Sequence, residues 1–203
     1  MLDELEYVYN QLKQYIADNP FYETTYEPYT VEGRAPKIVV EMAKAAGKAH
    51  VGPMASVAGA ISEHIRDYLL AKGAKEVIVE NGGDIALKIT NELIVGLYAG
   101  NSPYSGKIAL RIQPGQTPLG VCTSSGSLGH SVSLGEADSV TVLSSSAAYA
   151  DAAATAIANE VRDVNPVKKA LSYADRLDDI SGVLIIKDGE LGAKGSILDL
   201  VGI

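Results

Sequence analysis

The segment that decides the fold is Ser139-Val-Thr-Val-Leu-Ser-Ser-Ser-Ala-Ala-Tyr-Ala-Asp-Ala-Ala-Ala-Thr-Ala156. It begins with β-branched residues typical of a strand and continues into an alanine-rich run typical of a helix. Asp151 and Thr155 carry short oxygen-bearing side chains four residues apart in that helix. Since a helix turns once in about 3.6 residues, both side chains project from one face and can hold a small object between them.

The pair Asp151 and Thr155 has two interpretations. A hard cation such as Mg²⁺ prefers oxygen ligands and takes one or two carboxylates from the protein, and the surrounding alanines would let another backbone or a flat ligand approach. In the structural interpretation, Asp151 lies near a helix N-terminus, where a carboxylate is favourable, and Thr155 bonds to the preceding turn. Taken alone, the pair favours the structural interpretation.

Composition predicts a globular, acidic protein. The 203 residues are 47% hydrophobic and 21% charged, enough for one well-filled core or two small fused subdomains. The net charge of -8 gives no basic face for nucleic acid. An acidic protein that approaches a phosphate needs a cation between the two, which is consistent with a metal site.

The cysteine count and the first residues bear on location. Cys122 is the only cysteine, which excludes an intramolecular disulfide and a thiolate zinc site and fits a reducing compartment. The stretch from Met1 to Tyr7 is acidic and periodic, unlike a signal peptide, and no apolar run reaches the roughly 18 residues of a membrane span. The sequence therefore predicts a cytoplasmic protein with no nucleic-acid or membrane partner.

Apolar residues recur at helical spacing in four further segments. These are 2–17, which ends at Asn19-Pro20; 38–48, opened by Pro36; a stretch after Gly52-Pro53 with a stripe from Ala58 to Leu69; and 166–177, opened by Asn165-Pro166. Residues 21–30 are rich in tyrosine without a clear period, which predicts an ordered loop or short edge segment. Its rings either stack on a ligand ring or pack in a core, and the second interpretation is favoured.

Runs of period two predict antiparallel strands. Four of them follow one another at 76–79, 84–88, 93–97 and 107–112, and a hairpin spans 182–192 with its turn at Asp188-Gly189. The sequence is less regular from Pro118 to the β-branched run that begins at Ser139. Helices and strands segregated in this way predict an α+β fold.

Three loops contain groups that bind anions. Asn81-Gly-Gly-Asp84 can expose backbone N–H groups to a phosphate, although Asn-Gly between strands is equally a hairpin signal. Thr123-Ser-Ser-Gly-Ser-Leu-Gly-His130 gathers hydroxyls able to wrap anionic oxygens, although such loops are often solvated turns. Gly52-Pro-Met-Ala-Ser-Val-Ala-Gly59 precedes a helix whose free N–H groups can accept a pyrophosphate.

Other nucleotide and hydrolase motifs are not supported. The Gly52–Gly59 loop lacks the Walker lysine and the dinucleotide glycine spacing, and no Gly-x-Ser-x-Gly elbow accompanies the serines near His130. The His130 imidazole suits a phosphate contact or an acid, while a histidine without an identified partner is more often structural.

In combination and order, these motifs resemble the ApbE superfamily of flavin transferases, over about residues 35 to 160. The motifs are Gly52–Gly59 before a helix, Asn81-Gly-Gly-Asp84, Thr123-Ser-Ser-Gly126, and Ser139-Val-Thr-Val142 with Ala150-Asp-Ala-Ala-Ala-Thr-Ala156. The chain looks closest to a small, uncharacterised cytoplasmic branch. The resemblance implies a two-layer α+β fold with antiparallel sheets, helices on one face and duplicated T-fold-like units, in one domain whose core (35–203) follows an N-terminal helix and loop (1–34).

The resemblance also implies a chemistry. In that family FAD is cleaved at its pyrophosphate with Mg²⁺, and FMN is joined through phosphate to a threonine of an acceptor protein. Asp151 and Thr155 match the metal ligands, and a backbone carbonyl from the turn that contains Met54 and Ala55 is the expected third ligand. Asp151 and His130 are the expected catalytic residues.

The expected nucleotide-binding residues come from the same resemblance. They are Met54, Ala55, Asn81, Gly82, Gly83, Asp84, Thr123, Ser124, Ser125 and Gly126. Ser56 stands where the family has a lysine, so the alternative is a catalytically silent flavin or nucleotide binder of the same fold. The sequence leaves open which protein accepts FMN and whether the chain forms a homo-oligomer.

Overall fold

The computed structural model describes residues 1–125, 136–162, 165–198 and 200–202. Its six α-helices are α1 (Leu2–Asp18), α2 (Phe21–Thr24), α3 (Lys37–Lys48), α4 (Val57–Ala71), α5 (Ala147–Asn159) and α6 (Pro166–Ala174). The predicted helices are confirmed, with a 3₁₀ turn, Pro53–Ser56, leading directly into α4. Helix α5 begins where the β-branched run ends, because the Ser146 hydroxyl accepts a hydrogen bond from the Tyr149 N–H at 3.2 Å.

A six-stranded antiparallel sheet forms the centre of the fold. Its order is β1 (Val77–Asn81), β2 (Asp84–Lys88), β5 (Leu119–Ser124), β6 (Ser139–Ser144), β7 (Ile180–Lys187) and β8 (Glu190–Gly195). The predicted hairpin is confirmed as β7 and β8. Asp188 and Gly189 at its turn have φ of 49° and 80°, the left-handed region that a tight hairpin turn requires.

A second, three-stranded sheet corrects the predicted strand pairing. Its strands are β3 (Leu93–Gly96), β4 (Ile108–Ile112) and β9 (Leu200–Gly202). The four predicted strands therefore do not form one successive set: β3 pairs with β4, and β5 takes the place beside β2. Short strands with the same alternation do not specify their partners, and β5 was not predicted because it is buried over most of its length on both faces.

The large sheet is covered on both faces. Ala86, Cys122 and Val142 face the helices, while alternate positions such as Val121 and Leu143 pack in a second core against the small sheet. The predicted α+β fold with antiparallel sheets and helices on one face is confirmed. The small sheet adds a further layer on the other face, and the T-fold-like duplication stays a prediction.

The aromatic segment after α1 packs into the helix layer. It contains the one-turn helix α2, where a loop or edge segment was predicted. Tyr22 is buried and its hydroxyl donates to the Val39 carbonyl at 2.8 Å. The rings of Tyr15 and Tyr29 contact the Tyr22 ring edge-on, with centroids 5.2 and 5.1 Å away. The prediction that the tyrosines of this segment pack in a core is confirmed for Tyr22 and Tyr29, whereas Tyr26 is exposed.

Among the described residues, no helix has both the length and the apolar character needed to cross a membrane.

Candidate metal and nucleotide site

Helices α4 and α5 cap each other's N-termini through one carboxylate each. Asp151 of α5 accepts a hydrogen bond from the Gly59 N–H in the first turn of α4, at 2.9 Å. Glu63 of α4 accepts from the Ala148 N–H at 2.9 Å and from the Ser146 hydroxyl at 2.8 Å, at the start of α5. Both carboxylates lie where the positive end of a helix dipole stabilises negative charge. This reciprocal capping fixes the Asp151 carboxylate between the two helices.

Glycines allow the close helix contact that the alanine pattern predicted. A Cβ atom on Gly59 would lie 2.3 Å from the Ala147 carbonyl oxygen, and a Cβ on Gly120 would lie 2.4 Å from the Ala147 Cα. Helix α5 therefore contacts both α4 and the sheet at backbone distance. Of the two alternatives that the alanines left open, another backbone or a flat ligand, the structure shows a close backbone approach, at Ala147 in the first turn of the helix.

The Asn81–Asp84 loop is the hairpin turn between β1 and β2. Asn81 pairs with Asp84, and Gly82 and Gly83 have φ of 65° and 101°. Asn81 and Gly82 are exposed at the tip, whereas Asp84 is buried and accepts a hydrogen bond from the Thr123 N–H at 3.2 Å. The hairpin interpretation is confirmed, and the turn also brings one carboxylate to the helix-facing side of the sheet.

Burial raises the pKa of both carboxyl groups. It raises the pKa of Asp84 to about 7, against hydrogen bonds from the Thr123 N–H and the Cys122 thiol that lower it. Burial also raises the pKa of Asp151, and the negative charge of Asp84 raises it further. Within the described residues, no basic side chain is among the groups that shift either pKa. Because the two carboxylates repel each other, the binding of a cation beside them is favourable.

Ser124 contributes an unsatisfied hydroxyl on the same face of the sheet. It is two residues from Cys122 along β5, so its side chain also points toward the helices. It is 5% exposed, and its Oγ has no hydrogen-bond partner in the part of the chain that the structure describes. A buried hydroxyl without a partner costs about 1–3 kcal/mol, which a ligand oxygen would recover.

The other predicted hydroxyls are divided between the two faces. The Thr123 hydroxyl lies on the opposite face, hydrogen-bonded to the Thr141 hydroxyl at 2.9 Å, so only its backbone N–H reaches Asp84. Thr155 is buried one turn after Asp151 on the same helix face, and Ser125 is buried at the end of β5. Gly126 and His130 lie outside the described residues.

Met54 and Ala55 belong to the 3₁₀ turn that packs against α3 and α5. Their backbone thus lies next to the helix that carries Asp151. Ser56 is fully buried, and its hydroxyl is within hydrogen-bonding distance of the Pro53 carbonyl (2.8 Å) and the Met42 carbonyl (3.2 Å). The position where the resemblance expects a lysine is therefore part of the core.

Sequence reasoning missed three contributors to this arrangement. Cys122 served only to exclude a disulfide and a thiolate zinc site and to indicate a reducing compartment, although its spacing from Gly120 and Ser124 along β5 indicates a shared face. Gly59 was predicted only as part of the anion-binding segment that precedes a helix, and Glu63 carries no local signal because its partners are about 85 residues away in the chain.

The residues present fit a cation that is coordinated partly by the protein and partly by a bound substrate. Among the described residues, no group of three or more His, Cys, Asp and Glu side chains is arranged to hold a metal alone. Mg²⁺ commonly needs only one or two carboxylates, with phosphate oxygens and water completing its octahedron. Asp151 with its fixed carboxylate, Thr155 and the carbonyls of the adjacent 3₁₀ turn match that requirement.

The overall architecture is that of known flavin transferases. The structure superposes on flavin transferase ApbE from Vibrio cholerae with a TM-score of 0.52 at 19% identity, over 93% of this chain and 74% of that one. The Thermotoga maritima ApbE protein gives a TM-score of 0.54 at 16% identity, over 72% of this chain. The chain spans about half the length of that protein (51%) and of the apo Pseudomonas stutzeri flavinyl transferase (50%). At these identities the likeness shows the fold alone.

The sequence assigns the family. The model of the family described as "AbpE bacteria" matches residues 1–187, and the chain belongs to that family. A UPF0280 protein of Methanocaldococcus jannaschii is 47% identical over 196 residues, which covers 94% of this chain and 79% of the relative. A UPF0280 protein of Methanothermobacter thermautotrophicus is 47% identical over 195 residues, with 94% and 75% covered. The predicted relation to a small branch of the ApbE superfamily is confirmed.

The buried carboxyl of Asp84 is expected to make stability depend on pH. Its pKa of about 7 lies above the ordinary value of 3.8, so the folded state binds the proton more tightly. The free energy of unfolding contributed by Asp84 therefore falls as pH rises from about 4 to about 7. In Asp84→Asn, whose amide oxygen can still accept the Thr123 N–H, this fall should disappear.

Urea unfolding of both proteins between about pH 4.5 and pH 8 measures the difference. The variant should gain stability relative to the natural protein as pH rises. A difference that stays constant across this range would contradict the raised pKa of Asp84.

Proposed function

We propose that this protein binds FAD with its diphosphate beside a Mg²⁺ held by Asp151, Thr155 and a backbone carbonyl of the Gly52–Ala55 turn. The observation that supports this most strongly is the Asp151 carboxylate, which is held by the Gly59 N–H, is partly buried, and interacts electrostatically with Asp84, while no basic side chain of the described residues is among the groups that shift its pKa. When bound, the metal would stabilise the charge that develops at phosphorus.

The proposed reaction transfers FMN to a threonine of an acceptor protein. The threonine oxygen forms a bond to the FMN phosphorus, the bond from that phosphorus to the AMP oxygen breaks, and the threonine proton is released. Asp84 and Ser124 would orient the nucleotide from the sheet, with Met54 and Ala55 on the helix side. The family resemblance implies an acid role for His130. It implies nucleotide-binding roles for six further residues, which are Asn81, Gly82, Gly83, Thr123, Ser125 and Gly126.

A second candidate function is flavin binding without transfer. It is supported by Ser56, which is fully buried and bonded to backbone carbonyls where the family resemblance expects a lysine. A cation that would neutralise the phosphates from this side is thus replaced by a core residue. Such a protein would hold FAD intact.

Incubation of the purified protein with FAD separates these functions. With Mg²⁺ and a threonine-containing acceptor present, we expect release of AMP and a flavin label that stays on the acceptor after denaturation. Chromatography of the nucleotides and in-gel flavin fluorescence measure the two products, and omission of Mg²⁺ is the control. Intact FAD that nevertheless binds supports the silent binder, and FAD that does not bind at all contradicts both functions.

A further inference from the structure

Helix α1 is attached to the rest of the fold along one side. Val8 and Leu12 are buried in the helix layer, and the Glu4 carboxylate contacts the His64 imidazole of α4 at 2.8 Å. The helix has 17 residues and is about 25 Å long. Because it is held in place by these contacts, its other sides form a defined surface.

A second apolar stripe on α1 is exposed. It consists of Leu2, Leu5 and Tyr9, whose spacings of three and four residues place them within about 60° of one another around the helix axis. Their exposed fractions are 69%, 38% and 54%, so most of this stripe is not covered by any part of the chain that the structure describes. Contiguous exposed apolar surface is typical of an interaction site.

Two residues of opposite charge border the stripe. Glu6 and Lys13 are exposed, lie next to Leu2 around the helix axis, and are about two turns apart along it. Among the described residues, neither of them forms an ion pair. Since the two charges cancel, the stripe and its border are together neutral, although the whole chain carries a net charge of -8.

An antiparallel second copy of α1 matches this arrangement. If a two-fold axis passes between Tyr9 and Asn10, Glu6 of each copy lies opposite Lys13 of the other, because both residues are equally far from that point along the helix. The same axis brings the two Tyr9 rings together and places Leu2 near the end of the other helix. Two ion pairs therefore form while the apolar stripes cover each other.

We propose that the protein forms a two-fold symmetric homodimer in which the Leu2, Leu5 and Tyr9 stripes of two α1 helices pack antiparallel. Glu6 and Lys13 form one ion pair at each end of this contact. A second copy is the partner because the same side of α1 supplies the apolar stripe and both charges in the required order. The proposal does not depend on FAD binding.

Exchange of the two charges tests the interface. Glu6→Lys and Lys13→Glu each replace two attractive pairs by two repulsive ones, so each should raise the dimer Kd by about tenfold. The double variant has opposite charges again and should dimerise within about threefold of the natural protein. Asp18→Lys reverses an exposed charge on another side of α1 and should leave the Kd unchanged. Sedimentation velocity over a range of protein concentrations measures these constants.

Disulfide formation provides a second measurement. Tyr9→Cys places a thiol beside the proposed axis, so oxidised glutathione should produce a covalent dimer that a non-reducing gel detects. Tyr7→Cys is the matched control, since Tyr7 is similarly exposed but lies on nearly the opposite side of α1. It should crosslink at least about tenfold more slowly, because its thiol has no thiol facing it. The natural Cys122 is fully buried and should not react.

Three results would overturn the proposal. A natural protein that stays monomeric at every concentration up to its solubility limit would show that something other than a second copy covers the stripe. A dimer that neither charge reversal weakens, or equal crosslinking of the Tyr7→Cys and Tyr9→Cys variants, would show that the copies meet through another surface. Asp151→Asn should dimerise as the natural protein does, so loss of the FAD site and loss of the dimer are distinguishable.

Discussion

Asp151→Asn is expected to abolish Mg²⁺-dependent FAD binding and any turnover that follows. Asp151 is the carboxylate ligand of the proposed metal site, and its Oδ2 is already held by the Gly59 N–H at 2.9 Å. An amide lacks the charge that a hard cation needs. Because loss of a residue that only orients a metal ligand costs about 10–100-fold, loss of the ligand itself should exceed about 100-fold. Titration of FAD fluorescence with and without Mg²⁺ measures the effect.

The same substitution is expected to leave the fold intact. The introduced asparagine can still accept the Gly59 N–H through its amide oxygen, and a partly buried negative charge that is repelled by Asp84 is removed. The unfolding temperature should therefore stay the same or rise. Asp3→Asn, which makes the same chemical change at an exposed position of α1, is the matched control. If Asp151→Asn binds FAD as before in a Mg²⁺-dependent manner, the carboxylate has only its capping role and the metal assignment is wrong.

Local signals predicted the elements of this fold better than their pairing. The change from β-branched residues to alanines places β6 and α5 correctly, and Asp188-Gly189 places the β7–β8 turn, because each signal depends on neighbouring residues. The assignment of β3 to a second sheet depends on contacts with distant residues of β4 and β9. Alternation in a short strand shows which residues share a face and does not show which strand lies beside it.

In the candidate site too, local signals predicted the positions of residues better than their interactions with distant residues. The Asp151–Thr155 spacing follows from helix geometry, and Asp84 follows from a hairpin turn, so both could be placed on the right kind of element from the sequence. The electrostatic interaction between Asp84 and Asp151 arises from burial across two layers, which local patterns do not report. The structural interpretation of Asp151 is also correct in part, since it does cap a helix, but that helix is α4 and not its own.

Gly59→Ala is expected to lower the free energy of unfolding by about 3 kcal/mol, at the upper end of the cost of overpacking. The added Cβ would lie 2.3 Å from the Ala147 carbonyl oxygen and 2.8 Å from the Asp151 Cβ. A backbone oxygen cannot rotate away as a flexible side chain can, so α4 and α5 must separate. Urea unfolding measures the loss of stability, and FAD titration should show weaker binding because the Asp151 carboxylate moves with α5.

Gly47→Ala separates this packing effect from the general effect of replacing a helical glycine. Gly47 lies in α3, and a Cβ there would have no atom within 4 Å. Alanine should therefore stabilise the protein by up to about 1 kcal/mol through helix propensity alone. If Gly59→Ala proved as stable as Gly47→Ala and kept its FAD affinity, the two helices would not be in backbone contact. The reciprocal caps of Asp151 and Glu63 would then not fix the position of the metal ligand, since both caps require that contact.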